Sequence, residues 1–229
     1  MGVRRAAEPG SARPEQRAPS RRVLVVDFDG TVTETDVLDT IASTFGDPAV
    51  YQEVEDGLHE GKMTLRDVIT REFEPVKMPL DEAVRWTLEN VRIRPGFSEL
   101  VDLARARGWR VVVVSSGFHE LIEPMLEREG VDVELHANRI DARPDGWRVI
   151  WRYDDENCES CGESCKRSIV RRLAGDDEIV YIGDGISDRC AAEASDRVFA
   201  TRGLARYLDE RGVPYERFDD FHSIAESLA

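Results

Sequence analysis

The chain has 229 residues, 41% of them hydrophobic, and a formal net charge of -15 at pH 7. That length allows one domain with an inserted piece or two small domains, with a core that needs no disulfide staples. The acidic balance argues against a nucleic-acid partner, and the longest apolar runs, Val23–Val26 and Val111–Val114, are too short to span a bilayer.

Residues 1–21 hold Arg4, Arg5, Arg13, Arg17 and Arg21 among Ala, Pro, Ser and Gly, with no apolar stretch like a signal-peptide core. Such a composition cannot build a packed element, so it reads as a disordered basic arm. The expected location is cytoplasmic. Val23–Val26 then predicts a buried strand that delivers Asp27 and Asp29 onto a glycine-containing turn at Gly30. Ligands of open α/β sheets gather at the carboxyl ends of strands. Two acids so close repel unless a proton or cation sits between them, an arrangement suited to Mg²⁺.

Glu34–Phe45, Val50–Leu58, Thr64–Phe73 and Leu80–Val91 all carry apolar residues at helical spacing, which predicts an all-helical insertion over residues 34–94. Arg94-Pro95-Gly96 marks the return to the main body. Beyond it, helices at Phe97–Arg107, His119–Glu129, Lys166–Leu173 and Gly203–Arg211 alternate with strands at Arg110–Val114, Val131–Leu135, Ile179–Ile182 and Arg197–Ala200. Asn138–Tyr153, with Pro144-Asp145-Gly146 at its centre, predicts a β-hairpin. An edge strand near Tyr215 and a helix from Asp219 complete the chain. The expected class is α/β. A doubly wound parallel sheet formed by residues 22–33 and 95–229 carries the helical insertion after its first strand.

Three strand ends converge on one rim. They bring Asp27 and Asp29, then Ser115 with Ser116 and Gly117, then Asp184 with Asp188 a turn later, and Lys166 opens the helix before the last of these strands. Carboxylates, a hydroxyl and an ammonium at strand ends suit phosphoryl transfer, where catalysis is mainly positioning and charge neutralisation. Taken singly, Ser115 is ordinary turn material, Lys166 an ordinary helix lysine and Asp188 an ordinary first-turn acid.

The set Asp27-Phe28-Asp29-Gly30-Thr31, Ser115, Lys166 and Gly183-Asp184-Gly185-Ile186-Ser187-Asp188 resembles the four motifs of the haloacid dehalogenase superfamily. The helical insertion resembles the cap of its phosphoserine-phosphatase-like branch. The resemblance implies that Asp27 is a nucleophile forming an aspartyl-phosphate and that Asp29 is the acid and base. It implies that Ser115 and Lys166 hold the phosphoryl group, and that Mg²⁺ sits with Asp27, Asp29 through its carbonyl, and Asp184, supported by Asp188. Asp36, Ser116 and Gly117 are the implied substrate-binding positions. Lys62 and Arg66, the other cap residues able to meet a carboxylate, read as surface charges.

Asp27-Phe28-Asp29-Gly30-Thr31-Val32-Thr33, Asp36, the cysteine-rich loop and Asp219-Asp220-Phe221 are similar to the 2-hydroxy-3-keto-5-methylthiopentenyl-1-phosphate phosphatases of methionine salvage. That branch carries Gly-Asp-Ser where this chain has Gly183-Asp184-Gly185. The partner implied is a small phosphorylated metabolite, with no nucleic acid or membrane, for a monomer or homodimer. A phosphoserine phosphatase, a phosphotransferase to an acceptor alcohol and a non-catalytic module using the cysteine loop are the alternatives.

Cys158-x2-Cys161-x3-Cys165 places three thiols just before Lys166. They are candidate structural Zn²⁺ ligands, with Cys190, His136 or Asp154 as a fourth, or else reduced thiols of a polar loop.

Overall fold

Val23, Leu24, Val25 and Val26 are all fully buried, because strand β1 (Arg22–Val26) runs through the middle of the sheet with helices on both sides. Successive side chains point to opposite faces. Leu24 and Val26 therefore enter one core cluster and Val23 and Val25 the other. A computed structural model describes residues 22–152, 158–161, 165–175 and 177–229. The basic arm and Asp154 lie outside the described residues.

The sheet has strand order β4-β3-β2-β1-β5-β6-β7. Here β2 is Arg110–Phe118, β3 Glu134–Arg143, β4 Gly146–Ile150, β5 Glu178–Gly183, β6 Arg197–Ala200 and β7 Glu216–Arg217. All neighbours are parallel except β3 and β4, which form the hairpin. Helices α5 (Phe97–Ala106), α6 (His119–Arg128) and α10 (Phe221–Leu228) cover the Leu24 face. Helices α7 (Lys166–Ala174), α8 (Arg189–Ala192) and α9 (Arg202–Arg211) cover the other. This is the doubly wound architecture expected.

The four helices of the insertion are α1 (Val37–Phe45), α2 (Pro48–His59), α3 (Leu65–Phe73) and α4 (Leu80–Asn90). Asp36 caps α1, its carboxylate accepting the Asp39 N–H at 3.0 Å. Thr64 and Asp67 form a reciprocal capping box at α3. Val37, Ile41, Ile69 and Phe73 from this insertion join the same core cluster as the sheet. Phe73 stacks on Trp147 of β4 at 5.8 Å between centroids and meets Phe118 of β2 edge-on at 4.9 Å. The Trp147 indole N–H donates to the Met78 carbonyl at 2.8 Å. At the stem, the Arg94 guanidinium donates to the carbonyls of Thr31 and Gly30, each at 2.8 Å, and of Asp219 at 3.0 Å.

Three local expectations are corrected. Ser115-Ser116-Gly117 does not end β2; the strand continues irregularly to Phe118, because the Asn138 side chain donates to the Ser116 carbonyl and holds it beside β3. The strand expected at Val131–Leu135 and the first hairpin arm are one strand beginning at Glu134. Val131 instead closes α6 by donating its N–H to the Leu126 carbonyl. After β5, the helical turn expected around Asp188 is a short 3₁₀ turn at Ile186–Asp188 that runs into α8.

Candidate active site

Asp27 follows the last residue of β1 and is held there by its N–H, which donates to the Ile182 carbonyl of β5 at 2.9 Å. It is 3% exposed. The chain then turns sharply at Gly30, whose φ of 76° favours glycine. A Cβ there would also sit 2.5 Å from Asp184 Oδ2. Thr33 secures the turn, its hydroxyl receiving the Gly30 N–H at 3.0 Å and donating to the Thr35 carbonyl at 2.7 Å. Thr31 reaches across to Asp184, donating its hydroxyl to Oδ1 at 3.0 Å.

Lys166, 5% exposed, projects its ammonium from the start of α7 between Asp27 and Asp188. It contacts Asp27 Oδ1 and lies 2.7 Å from Asp188 Oδ1. Asp188 is fully buried and densely partnered. Its Oδ1 also accepts the Tyr181 hydroxyl at 2.7 Å, and its Oδ2 accepts the Asp184 and Gly185 N–H groups, both at 2.9 Å. With every oxygen engaged, Asp188 orients Lys166 and the loop around Asp184.

Asp29 lies opposite Ser115, whose hydroxyl donates to Asp29 Oδ2 at 2.7 Å and accepts the Gly117 N–H at 2.7 Å. Gly117 is required by close approach, since a Cβ would stand 2.7 Å from Asp29 Oδ2 and 2.9 Å from Ser115 Oγ. Burial raises the pKa of Asp29 and outweighs this hydrogen bond, which lowers it. Burial, then the charge of Asp188, raises Asp27 well above the usual carboxylate range despite Lys166. Asp184 is raised by the same two causes. For Lys166, burial works downward but the carboxylates of Asp188 and Asp27 prevail and raise it.

Four carboxylates therefore share the site with one buried ammonium and the half-exposed Arg202 guanidinium, a charge imbalance that a divalent cation would relieve. Oxygens of Asp27, Asp184 and Asp188 lie within 4.8 Å of one another, and hard oxygen donors at this spacing fit Mg²⁺.

Asp27, Asp29, Asp36, Ser116 and Asp184 open onto one pocket of about 440 Å³. Its outer wall combines Leu38, Leu58, Leu65, Val68 and Ile69 with Asp39, Glu55 and Glu72. The expected site residues thus come together on one rim, with Ser115 and Gly117 supporting Asp29 from behind. Lys62 and Arg66 do not line this pocket. Lys62 is exposed and paired with Glu60, and Arg66 lies over the Trp151 ring at 4.7 Å.

Tyr181 and Arg202 were not anticipated, nor was the bond from Thr31 of the first motif to Asp184. Tyr181 reads as one more apolar member of β5. Arg202 adopts a φ of 47° and donates to Asp184 Oδ2 at 3.3 Å and to the Glu34 carbonyl at 2.6 Å.

The sequence profile of the haloacid dehalogenase-like hydrolases matches residues 24–193, which include Asp27, Asp29, Ser115, Lys166, Asp184 and Asp188. The chain belongs to that family. Among relatives of the hydrolase, a 2-hydroxy-3-keto-5-methylthiopentenyl-1-phosphate phosphatase of Exiguobacterium sibiricum is 29% identical over 210 residues, 90% of this chain and 95% of the relative. The bifunctional enzyme MtnB/MtnX of Bacillus licheniformis is 32% identical over 210 residues, 90% of this chain. The hydrolase spans about half the length of that relative, 49%. A substrate-bound phosphoserine phosphatase shares the fold, with a TM-score of 0.72 and 21% identity over 92% of this chain and 99% of that one. Among the described residues, no helix is long and apolar enough to cross a membrane.

Proposed function

We propose that this phosphatase hydrolyses a small phosphomonoester through an aspartyl-phosphate on Asp27, with residues 34–94 as the cap over the pocket. Asp27 Oδ attacks phosphorus as the ester P–O bond breaks. Asp29, in its protonated form, gives its proton to the departing alkoxide. The resulting carboxylate then takes a proton from the water that attacks phosphorus and releases Asp27. Lys166 pairs with the phosphoryl oxygens as Asp27 becomes esterified, while Asp188, itself held by the Tyr181 hydroxyl, keeps its ammonium in place. Ser115 keeps Asp29 aligned by donating its hydroxyl to Oδ2. Mg²⁺ held by Asp27, Asp184 and the Asp29 carbonyl would neutralise charge on the phosphoryl oxygens. The placement of Asp29 beside the nucleophile is the observation that carries hydrolysis, since the intermediate needs a base to be cleared.

For the leaving group, the composition of the pocket wall favours 2-hydroxy-3-keto-5-methylthiopentenyl-1-phosphate, the substrate named for several relatives. The aliphatic patch suits an uncharged thioether tail. The Asp36 carboxylate, exposed at the pocket wall, can accept a hydrogen bond from a hydroxyl of the ester. Phosphoserine would bring a carboxylate into a pocket that contains Asp36, Asp39, Glu55 and Glu72, with Arg189 as its arginine. Phosphate release measured with both esters tests the reading. We expect kcat/KM to favour the methylthio ester by at least about 100-fold, equivalent to about 2.7 kcal/mol. A preference for phosphoserine would overturn the substrate, and inertness toward every phosphomonoester would overturn the reaction.

A further inference from the structure

The cysteine-rich loop lies outside the chemistry above, yet it leads directly into Lys166. In the folded chain a fourth cysteine joins it. Cys158, Cys161 and Cys165 meet Cys190 of α8, and all four Sγ atoms lie within 4.8 Å of one another. All four are free thiols. A tetrahedral thiolate site with Zn–S bonds of about 2.3 Å sets its sulfurs about 3.8 Å apart, so little adjustment is required. His136 is committed elsewhere, to Glu134 and Arg152.

Backbone donors already point at the sulfurs. The Ser160 N–H donates to Cys158 Sγ at 3.4 Å, and the Cys161 N–H is directed to the same atom. Amides two and three residues ahead of a cysteine stabilise negative charge on its sulfur, as a metal-bound thiolate requires. The adjoining cavity is lined by Arg66, Arg189 and Arg211 beside Cys161, Cys165 and Cys190, which would balance the net charge of a four-thiolate zinc centre.

From this geometry we infer that Cys158, Cys161, Cys165 and Cys190 bind one structural Zn²⁺ in a closed tetrahedral site. Binding exchanges four thiol protons for the metal, with no change of oxidation state. The connection made is specific. Cys165 immediately precedes Lys166, and Cys190 lies two residues after Asp188, so the metal would staple together the segments whose side chains form the 2.7 Å ion pair. The site stands independently of the phosphatase reading.

The full chain, purified without chelators, is the material for the test. Elemental analysis should find about one zinc per chain, released in step as a mercurial reagent titrates four thiols. Co²⁺ exchanged into the site should show the strong visible absorption of tetrahedral thiolate coordination, and Cys190→Ser should weaken and shift it. Chelator-stripped protein should unfold at a lower temperature, and Zn²⁺ but not Mg²⁺ should restore it. Well under one zinc per chain with four freely reactive thiols would overturn the inference. So would two disulfides, or stoichiometric iron with the absorption of an iron–sulfur cluster. If Cys190→Ser fails to fold, the wild-type zinc and thiol counts still decide.

Discussion

Glu72 offers a test of how the pocket is built. It sits near the end of α3, is 6% exposed, and lines the pocket without a hydrogen-bond donor or cation against it among the described residues. Burial, then the charges of Glu55, Asp39 and Asp36, pushes its pKa up from 4.5 to about 8. The sign follows from linkage. Between these values the folded protein holds a proton that the unfolded chain has lost, so raising the pH through this window destabilises the fold. Over a gap of about 3.5 pH units, the ceiling is about 5 kcal/mol at about 1.36 kcal/mol per unit. Water in the open pocket screens the charge and reduces this to about 2 kcal/mol. Glu72→Gln keeps the shape and removes the titration. Urea unfolding of both proteins should give equal stabilities near pH 4.5. The variant should gain steadily to about 2 kcal/mol at pH 9, where Glu72 of the wild type is mostly ionised. A difference that does not change with pH, or a variant less stable at pH 9, would refute the reasoning. As Glu72 ionises, the wild-type pocket gathers negative charge facing an anionic ester, so its KM should rise over the same range.

Asp27→Asn should lower p-nitrophenyl phosphate turnover by at least about 10³-fold while leaving the circular dichroism spectrum intact. Lys166→Met strands the carboxylates of Asp27 and Asp188 in the interior, and its unfolding free energy should drop by about 3 kcal/mol or more. Gly117→Ala should reduce kcat by about 10²-fold, because the added methyl displaces Asp29 and Ser115; an unchanged kcat would remove Asp29 from its assigned place. Dialysis against Mg²⁺-free buffer should abolish turnover, and adding Mg²⁺ back should restore it in a phosphate-release assay.

The strand that opens the sheet, the paired acids after it and the helical insertion are all legible in the sequence. Each rests on a local pattern: a continuous buried run, two carboxylates one residue apart, and apolar residues at helical spacing. What the sequence hides are interactions with no local signature. Arg94 is a stem arginine whose value lies in four carbonyls, on Gly30, Thr31, Thr33 and Asp219. Tyr181 has the side chain of a core residue, and only the fold places its hydroxyl on Asp188. The continuation of β2 past Ser115 depends on the side chain of Asn138 from the neighbouring strand. Cys190 could not be separated from His136 or Asp154 as a partner for the cysteine loop, because the choice is made by where α8 lies.

The stacked pair of Phe73 and Trp147 has a kinematic consequence. It fastens the insertion to the hairpin near the end of α3, with the bond from Trp147 to the Met78 carbonyl as a second fixing point. A lever pinned at one end sweeps only at the other. Access to Asp27 therefore has to widen along the free margin, where Leu58 and His59 of α2 face Ile186 and Ser187. That margin sets the direction from which an ester arrives and along which its alcohol departs.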